Sequence, residues 1–249
     1  KLRAATAFSV AANTTVTECW SFDVSAQQKE HVVSIHPQVA ASVVRSLAVY
    51  HAATTSYTST PTACTPLSVM SPLVYLWQPG AASSFDLPPE AGFAIDAGVN
   101  HFVVQITYEN AGSSAQDSSG VDFCTTTSLR ANDADIVAFG TTKVSIPPGA
   151  SSALAGCTAT LDSSFNGMNM FGVLPHANQY ATAIALSQNQ NAIVSGAYSW
   201  TNAPWASATA TLHTGDAIAT SCTYNNPTAT TLTLGWTSGE TCFVFVAYY

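Results

Sequence analysis

The 249-residue chain is 47% hydrophobic yet only 8% charged, where an average soluble domain carries about 25% charged residues. Its formal net charge is −8, and its six cations (Lys1, Arg3, Lys29, Arg45, Arg130 and Lys143) are scattered. This excludes the clustered basic surface that nucleic acid or an anionic membrane needs. No stretch reaches the roughly 18 apolar residues of a membrane-spanning helix.

In chain order the dominant signal is short β-like runs broken by Gly, Pro, Asn and Ser. Thr14 to Val24 alternates, with Cys19 inside it, and Val43 to His51 is β-branched and aromatic. Thr54 to Thr65 is a Thr- and Ser-rich loop, a candidate for O-glycans. His101 to Tyr108 reads as a strong strand, and Asn110 to Gly120 as a polar, turn-rich stretch. Ile136 to Phe139, Thr142 to Ile146, Ala181 to Leu186, Ala217 to Thr223, Thr230 to Leu234 and Cys242 to Tyr248 add further strands. Helical periodicity is scarce, and Ser151 to Cys157 is expected to make a turn of helix. No short fixed-period repeat is visible. The spacing predicts an all-β protein of two β-sandwiches, with domains at 1–130 and 131–249.

The six cysteines, Cys19, Cys64, Cys124, Cys157, Cys222 and Cys242, include no Cys-x-x-Cys pair, which argues against structural zinc. An even count in a charge-poor, hydroxyl-rich chain predicts disulfides, an oxidising compartment and therefore secretion. Spacing alone leaves their pairing open. The start at Lys1-Leu2-Arg3 suits a processed protein. Asn13-Thr14-Thr15 is a glycosylation sequon. Asn132-Asp133-Ala134-Asp135 brings oxygens together as calcium sites do, although a capped turn explains it equally. No Gly-x-Ser-x-Gly nucleophile elbow is present, and His213 with Asp216 reads as a turn.

The closing segment carries Gly215-Asp216, Ser221-Cys222-Thr223-Tyr224-Asn225, Gly239-Glu240-Thr241-Cys242 and Tyr248-Tyr249 in that order. It resembles the end of the copper type II, ascorbate-dependent monooxygenases. Further blocks resemble the same family in the same order. These are Cys19 to Val24, Val43 to Ala52, Cys64 to Gly80 with its Tyr75-Leu76-Trp77, Leu87 to Phe93, Phe102 to Asn110, Ser119-Gly120-Val121, Ile146 to Gly149, and Leu174-Pro175-His176. The resemblance implies two jelly-roll-like β-sandwich domains packed side by side, with one copper site in each. It also implies a Cys222–Cys242 staple. The family partner of the cysteine at Cys157 lies past the Tyr-Tyr end, so Cys124 is the expected substitute, beside Cys19–Cys64.

The same resemblance locates the copper ligands. The three imidazoles of the electron-accepting copper fall at Arg45, Ser46 and Thr107. The two histidines and the thioether of the oxygen-binding copper fall at His176, Asn178 and Thr241. Imidazole and thioether are the donors that copper in its two oxidation states favours, and only His176 retains one. His36, His51 and His101 are the histidines available for a shifted first site. Met168 and Met170 are thioethers near His176, with core packing as the plainer role. The reading is a non-catalytic extracellular structural, surface or assembly protein, filament- or coat-forming, that needs no cofactor and associates with itself or with glycans. The alternatives are a copper-dependent monooxygenase with a remodelled site and a glycan-binding or hydrolytic protein using an interdomain cleft.

Overall fold

The computed structural model describes residues 1–4, 6–66, 72–235 and 239–249. The part of the Cys64 to Gly80 block at 67–71 lies outside these residues. Among the described residues there are strands, one 3-10 turn at Ser163–Phe165 and no α-helix. The chain divides into two units, Lys1–Gln78 with Ala82–Asp135, and Pro79–Ala81 with Ile136–Tyr249.

The first unit contains β1 (Leu2–Arg3), β2 (Phe8–Val10), β3 (Thr14–Ala26), β4 (Glu30–Gln38), β5 (Val44–Ala52), β6 (Thr62–Ala63), β7 (Leu73–Trp77), β8 (Phe85–Asp86), β9 (Ala91–Ile95), β10 (Gly98–Asn110), β11 (Ala115–Asp117), β12 (Gly120–Thr126) and β13 (Asn132–Asp133). One sheet runs β1-β12-β4-β9-β13, with β8 on β4; a second runs β6-β3-β10-β5-β7, and β2 and β11 form a separate pair. β3 and β10 pair along their whole length, from Gly98 opposite Ala26 to Asn110 opposite Thr14. Alternation then sets Trp20, Val104 and Val49 on one face of this sheet and Cys19, Gln105 and Ala48 on the other, all of them buried. Tyr108, fully buried, donates its hydroxyl to Asp117 at 2.8 Å. Arg130 donates from Nη1 to the carbonyls of Leu87, Pro88 and Ala91, which closes the Leu-Pro-Pro turn. The sequence-read boundary at 130/131 precedes β13, which pairs with β9 inside this unit.

The second unit contains β14 (Asp135–Thr141), β15 (Ser145–Ile146), β16 (Ala153–Thr160), β17 (Met168–His176), β18 (Ala181–Gln188), β19 (Asn191–Ala197), β20 (Ala206–Leu212), β21 (Ala217–Tyr224), β22 (Leu232–Thr233) and β23 (Cys242–Tyr248). Its sheets run β14-β23-β17-β20 and β16-β21-β18-β19, with β15 and β22 forming a separate pair. Val173, Leu212, Val244 and Val246 from one sheet and Ile184, Leu186 and Ile218 from the other form one core. This is the inward-facing alternation of a β-sandwich.

Three sequence expectations need correction. Ser151 to Cys157 does not turn into helix; it enters β16, which pairs with β21 from Ala153–Tyr224 to Thr160–Ala217. Ala153, Leu154 and Ala155 favour helix locally, and the continuous pairing with β21 overrides that preference. The strand expected over Thr142 to Ile146 shrinks to β15, and that over Thr230 to Leu234 to β22 and a single bridge from Leu234 to Glu240. The third correction concerns the disulfides. Cys19–Cys64 and Cys222–Cys242 are formed, each with Cα atoms 5.8 Å apart. Cys124 and Cys157 are free thiols and do not pair. They belong to different units. Cys124 is exposed, whereas the Cys157 thiol donates to the Gly140 carbonyl at 2.8 Å and burial pushes its pKa up.

Candidate functional site

The first set of expected ligand positions lies on β5 and β10. Thr107 faces Ser46 across the two strands, and Tyr108 then faces Val44. Arg45 is therefore the extra residue of a β-bulge. On its other side Thr107 faces Thr17, and their hydroxyls hydrogen bond at 3.1 Å. Both threonines are buried. Two hydroxyls satisfying one another form a neutral, closed pair with little capacity to hold a soft metal.

The second set lies where β17 leaves its sheet and β23 enters it. His176 is in register with Phe243, so position 178 falls opposite 241 as that register is continued. The His176 ring lies 5.6 Å from the Phe245 ring, in a tilted arrangement. The Asn178 carboxamide donates to the carbonyls of Gly235 and Gly239, both at 2.8 Å. The backbone amides of Asn178 and Tyr180 donate to the two carboxylate oxygens of Glu240, at 3.1 and 2.8 Å. Thr241 is fully buried and its hydroxyl makes no hydrogen bond, while its carbonyl accepts from the Tyr224 hydroxyl at 2.8 Å. A Cβ at Gly239 would strike the Thr233 carbonyl, which accounts for glycine before Glu240. Glu240 is 0% exposed, and burial raises its pKa to about 7 against the opposing pull of three backbone amides. This network is not legible in the Gly239-Glu240-Thr241-Cys242 block itself. Its acceptors and donors come from segments about 60 residues apart, which no local pattern records.

The remaining candidates have their own partners. His101 lies 2.8 Å from Asp23, His51 stacks on Phe102, and His36 is 3.0 Å from the Ser34 hydroxyl. Met170 is buried in the core of the second unit and Met168 packs against it. The Asp133 carboxylate binds Lys29 and His31, at 2.7 and 2.8 Å, so the 132–135 stretch is not a capped turn but the braced passage from β13 into β14. Asp216 accepts the His213 backbone amide at 2.7 Å next to Gly215, whose φ is +89°. Asn13 is exposed in a turn at φ +52°, a conformation asparagine tolerates. Among the described residues no three His, Cys, Asp or Glu side chains gather as a metal site.

Two disulfide-stapled, all-β units with these sequence blocks in this order define a protein of the two-domain β-sandwich class. Residues 3–115 match the N-terminal domain of the copper type II ascorbate-dependent monooxygenases, and residues 132–249 match the C-terminal domain. The chain belongs to that family, which is copper-dependent. The side chains at the expected ligand positions do not fit the metal. Arg45 brings a permanent cation, Thr107 is committed to Thr17, and Asn178 uses its amide protons on carbonyls. His176 is one donor, and one imidazole does not hold copper through a change of oxidation state.

Proposed function

We propose that this chain is a non-catalytic, extracellular structural protein on the monooxygenase scaffold, working by association with further copies of itself. The observation that carries the reading is the chemistry at the second set of positions. There, a position expected to hold a copper ligand carries Asn178, whose amide protons go to the Gly235 and Gly239 carbonyls, beside the buried Glu240 carboxylate that accepts the Asn178 and Tyr180 backbone amides. That arrangement serves stability. The two disulfides suit an oxidising environment, and no helix among the described residues is long and apolar enough to cross a membrane. Asn13, exposed within its sequon, is positioned to carry a glycan.

The surface supports the assembly part of the reading. β16 ends its sheet, with β21 as its strand partner. Its sequence, ALAGCTAT, contains no charge and no proline, and its register against β21 is unbroken. Leu154 is 73% exposed on it. Soluble proteins commonly protect such an edge with lysine, proline or a bulge. A second copy adding a strand here would satisfy the edge and cover Leu154.

Two measurements test the reading. After copper loading and desalting, metal analysis should find well under one copper per chain. Stoichiometric copper that His176→Ala abolishes would overturn the non-catalytic reading in favour of a remodelled monooxygenase. Light scattering of the native chain should show assemblies that Leu154→Lys disperses; a strict monomer at high concentration removes the assembly role.

A further inference from the structure

A surface hollow of about 450 Å³ lies on the second unit, in the range of small-ligand sites. It is lined from β19 and β20, which are terminal strands of the two sheets of that sandwich, and from the hairpin turn joining β18 to β19. Gln188, Asn189 and Asn191 supply carboxamides and Thr209 a hydroxyl, while Ile193 and two alanines supply a small apolar floor. None of these residues is ionisable.

The turn is rigidly built. Asn189 and Gln190 have φ of +50° and +69°, the left-handed pair of a two-residue hairpin turn. Glutamine adopts that conformation at a cost, so surrounding contacts must hold it. Asp216 supplies them. One of its carboxylate oxygens accepts the Gln188 amide at 2.6 Å and the His213 backbone amide at 2.7 Å. The other accepts the Asn189 amide at 2.7 Å. These bonds, Asn189's foremost, hold the Asp216 pKa below the usual carboxylate range. Gln188 also donates to the Thr211 carbonyl, and the Asn189 side-chain oxygen accepts the Ala217 amide at 2.9 Å. The nearby charge is thus consumed in bracing the amides. The Gln188 side-chain oxygen and the Thr209 hydroxyl have no protein hydrogen bond among the described residues, and Asn191 donates only a long one, 3.5 Å, to Asn189.

We propose that this hollow binds an uncharged saccharide. The braced Gln188 side chain presents a fixed acceptor oxygen, and Thr209 and Asn191 beside it can donate or accept, a set that matches vicinal sugar hydroxyls. The Ile193 floor suits the C–H face of a pyranose ring. A charged ligand would find no counter-charge left unpaired there, and an apolar one would strip water from the amides without replacing it. The site is independent of the assembly reading, because it lies on β19 and β20 and makes no use of β16.

The test is saturation-transfer NMR on the full chain with four neutral trisaccharides: maltotriose, cellotriose, chitotriose and mannotriose. At least one should show saturation. Ala192→Arg, which places a bulky side chain at an exposed lining position, should abolish it with the melting temperature unchanged. Asn191→Ala should weaken it roughly tenfold, which covers the case in which the arginine variant misfolds. Thr158→Arg on β16 should leave binding intact. Failure of all four sugars overturns the proposal, and so does binding that survives both Ala192→Arg and Asn191→Ala. If instead an alanine-rich extended peptide binds and Ala192→Arg blocks it, the hollow accepts a strand and the saccharide assignment is wrong.

Discussion

The two sets of expected ligand positions have lost their donors in different ways. In the first unit the replacement is shallow: one hydroxyl pair, Thr17 with Thr107, spans two strands that already pair along their length. In the second unit the replacement is structural. Asn178 and Glu240 connect the end of β17 to the loop before β23 through four hydrogen bonds, all with one partner on the backbone. The difference follows from the local backbone. β10 pairs with β3 without a break and with β5 across one bulge at Arg45, so ladder bonds carry most of its amides, whereas 177–180 and the described residues 234, 235 and 239–241 lie outside the long strands and use side chains to satisfy theirs. A region that has lost its metal ligands within a ladder keeps its shape without help. One that lies between strands is held by side chains such as Asn178 and Glu240.

Each region also has its own staple, which allows the comparison to be broken most severely. Removing Cys19–Cys64, with a sequence separation of 45, should cost about 4 kcal/mol on chain-entropy grounds. Removing Cys222–Cys242, with a separation of 20, should cost about 3 kcal/mol. Denaturant unfolding of the two double Cys→Ala variants measures both. If the first-unit loss is the smaller, loop length is not what decides it.

Asn178→Ala comes next. It leaves the Gly235 and Gly239 carbonyls without their donor and should cost about 2 kcal/mol. Thr107→Ala should cost about 1 kcal/mol, the net worth of one neutral hydrogen bond. Equal losses for the two variants, measured by urea unfolding, would abolish the distinction between clamp and ladder.

The last effect is a change in the shape of the pH dependence. Because the folded Glu240 pKa, about 7, stands above its ordinary value of 4.5, the folded state binds the extra proton between those two values. Its contribution is present in full below pH 4.5 and is lost as pH rises to 7. Glu240→Gln should remove that decline from a plot of melting temperature against pH. Asp23, Asp86, Asp133, Asp162 and Asp216 have lowered pKa values, through hydrogen bonds or through Lys29 in the case of Asp133. Their stabilising contribution is present above the ordinary aspartate value of 3.8 and is lost as pH falls below it, so this acid limb should persist in the variant.

Much of the scaffold was legible in the residues. Alternation in Thr14 to Val24 and the strong strand signal of His101 to Tyr108 mark two strands that the structure pairs in the first unit, and Cys222 and Cys242 lie on runs that do become strands of facing sheets. β4 was not legible. Its sequence, EHVVSIHPQ, mixes histidine, serine and proline with its apolar residues, and partners on both sides make it a strand. At the candidate site the identities of Asn178 and Thr241 could be read, and the loss of copper donors with them. The clamp could not, because its function depends on which carbonyls lie within reach of one amide.

The sequence by itself determined the all-β class, the strand alternation, the family and the missing donors, since these depend on residue type and short-range order. Only the tertiary structure decided that 153–160 is an open edge and that Asp216 and Glu240 act as braces. Those outcomes depend on distances between segments remote in the chain, set by how the sheets pair and pack.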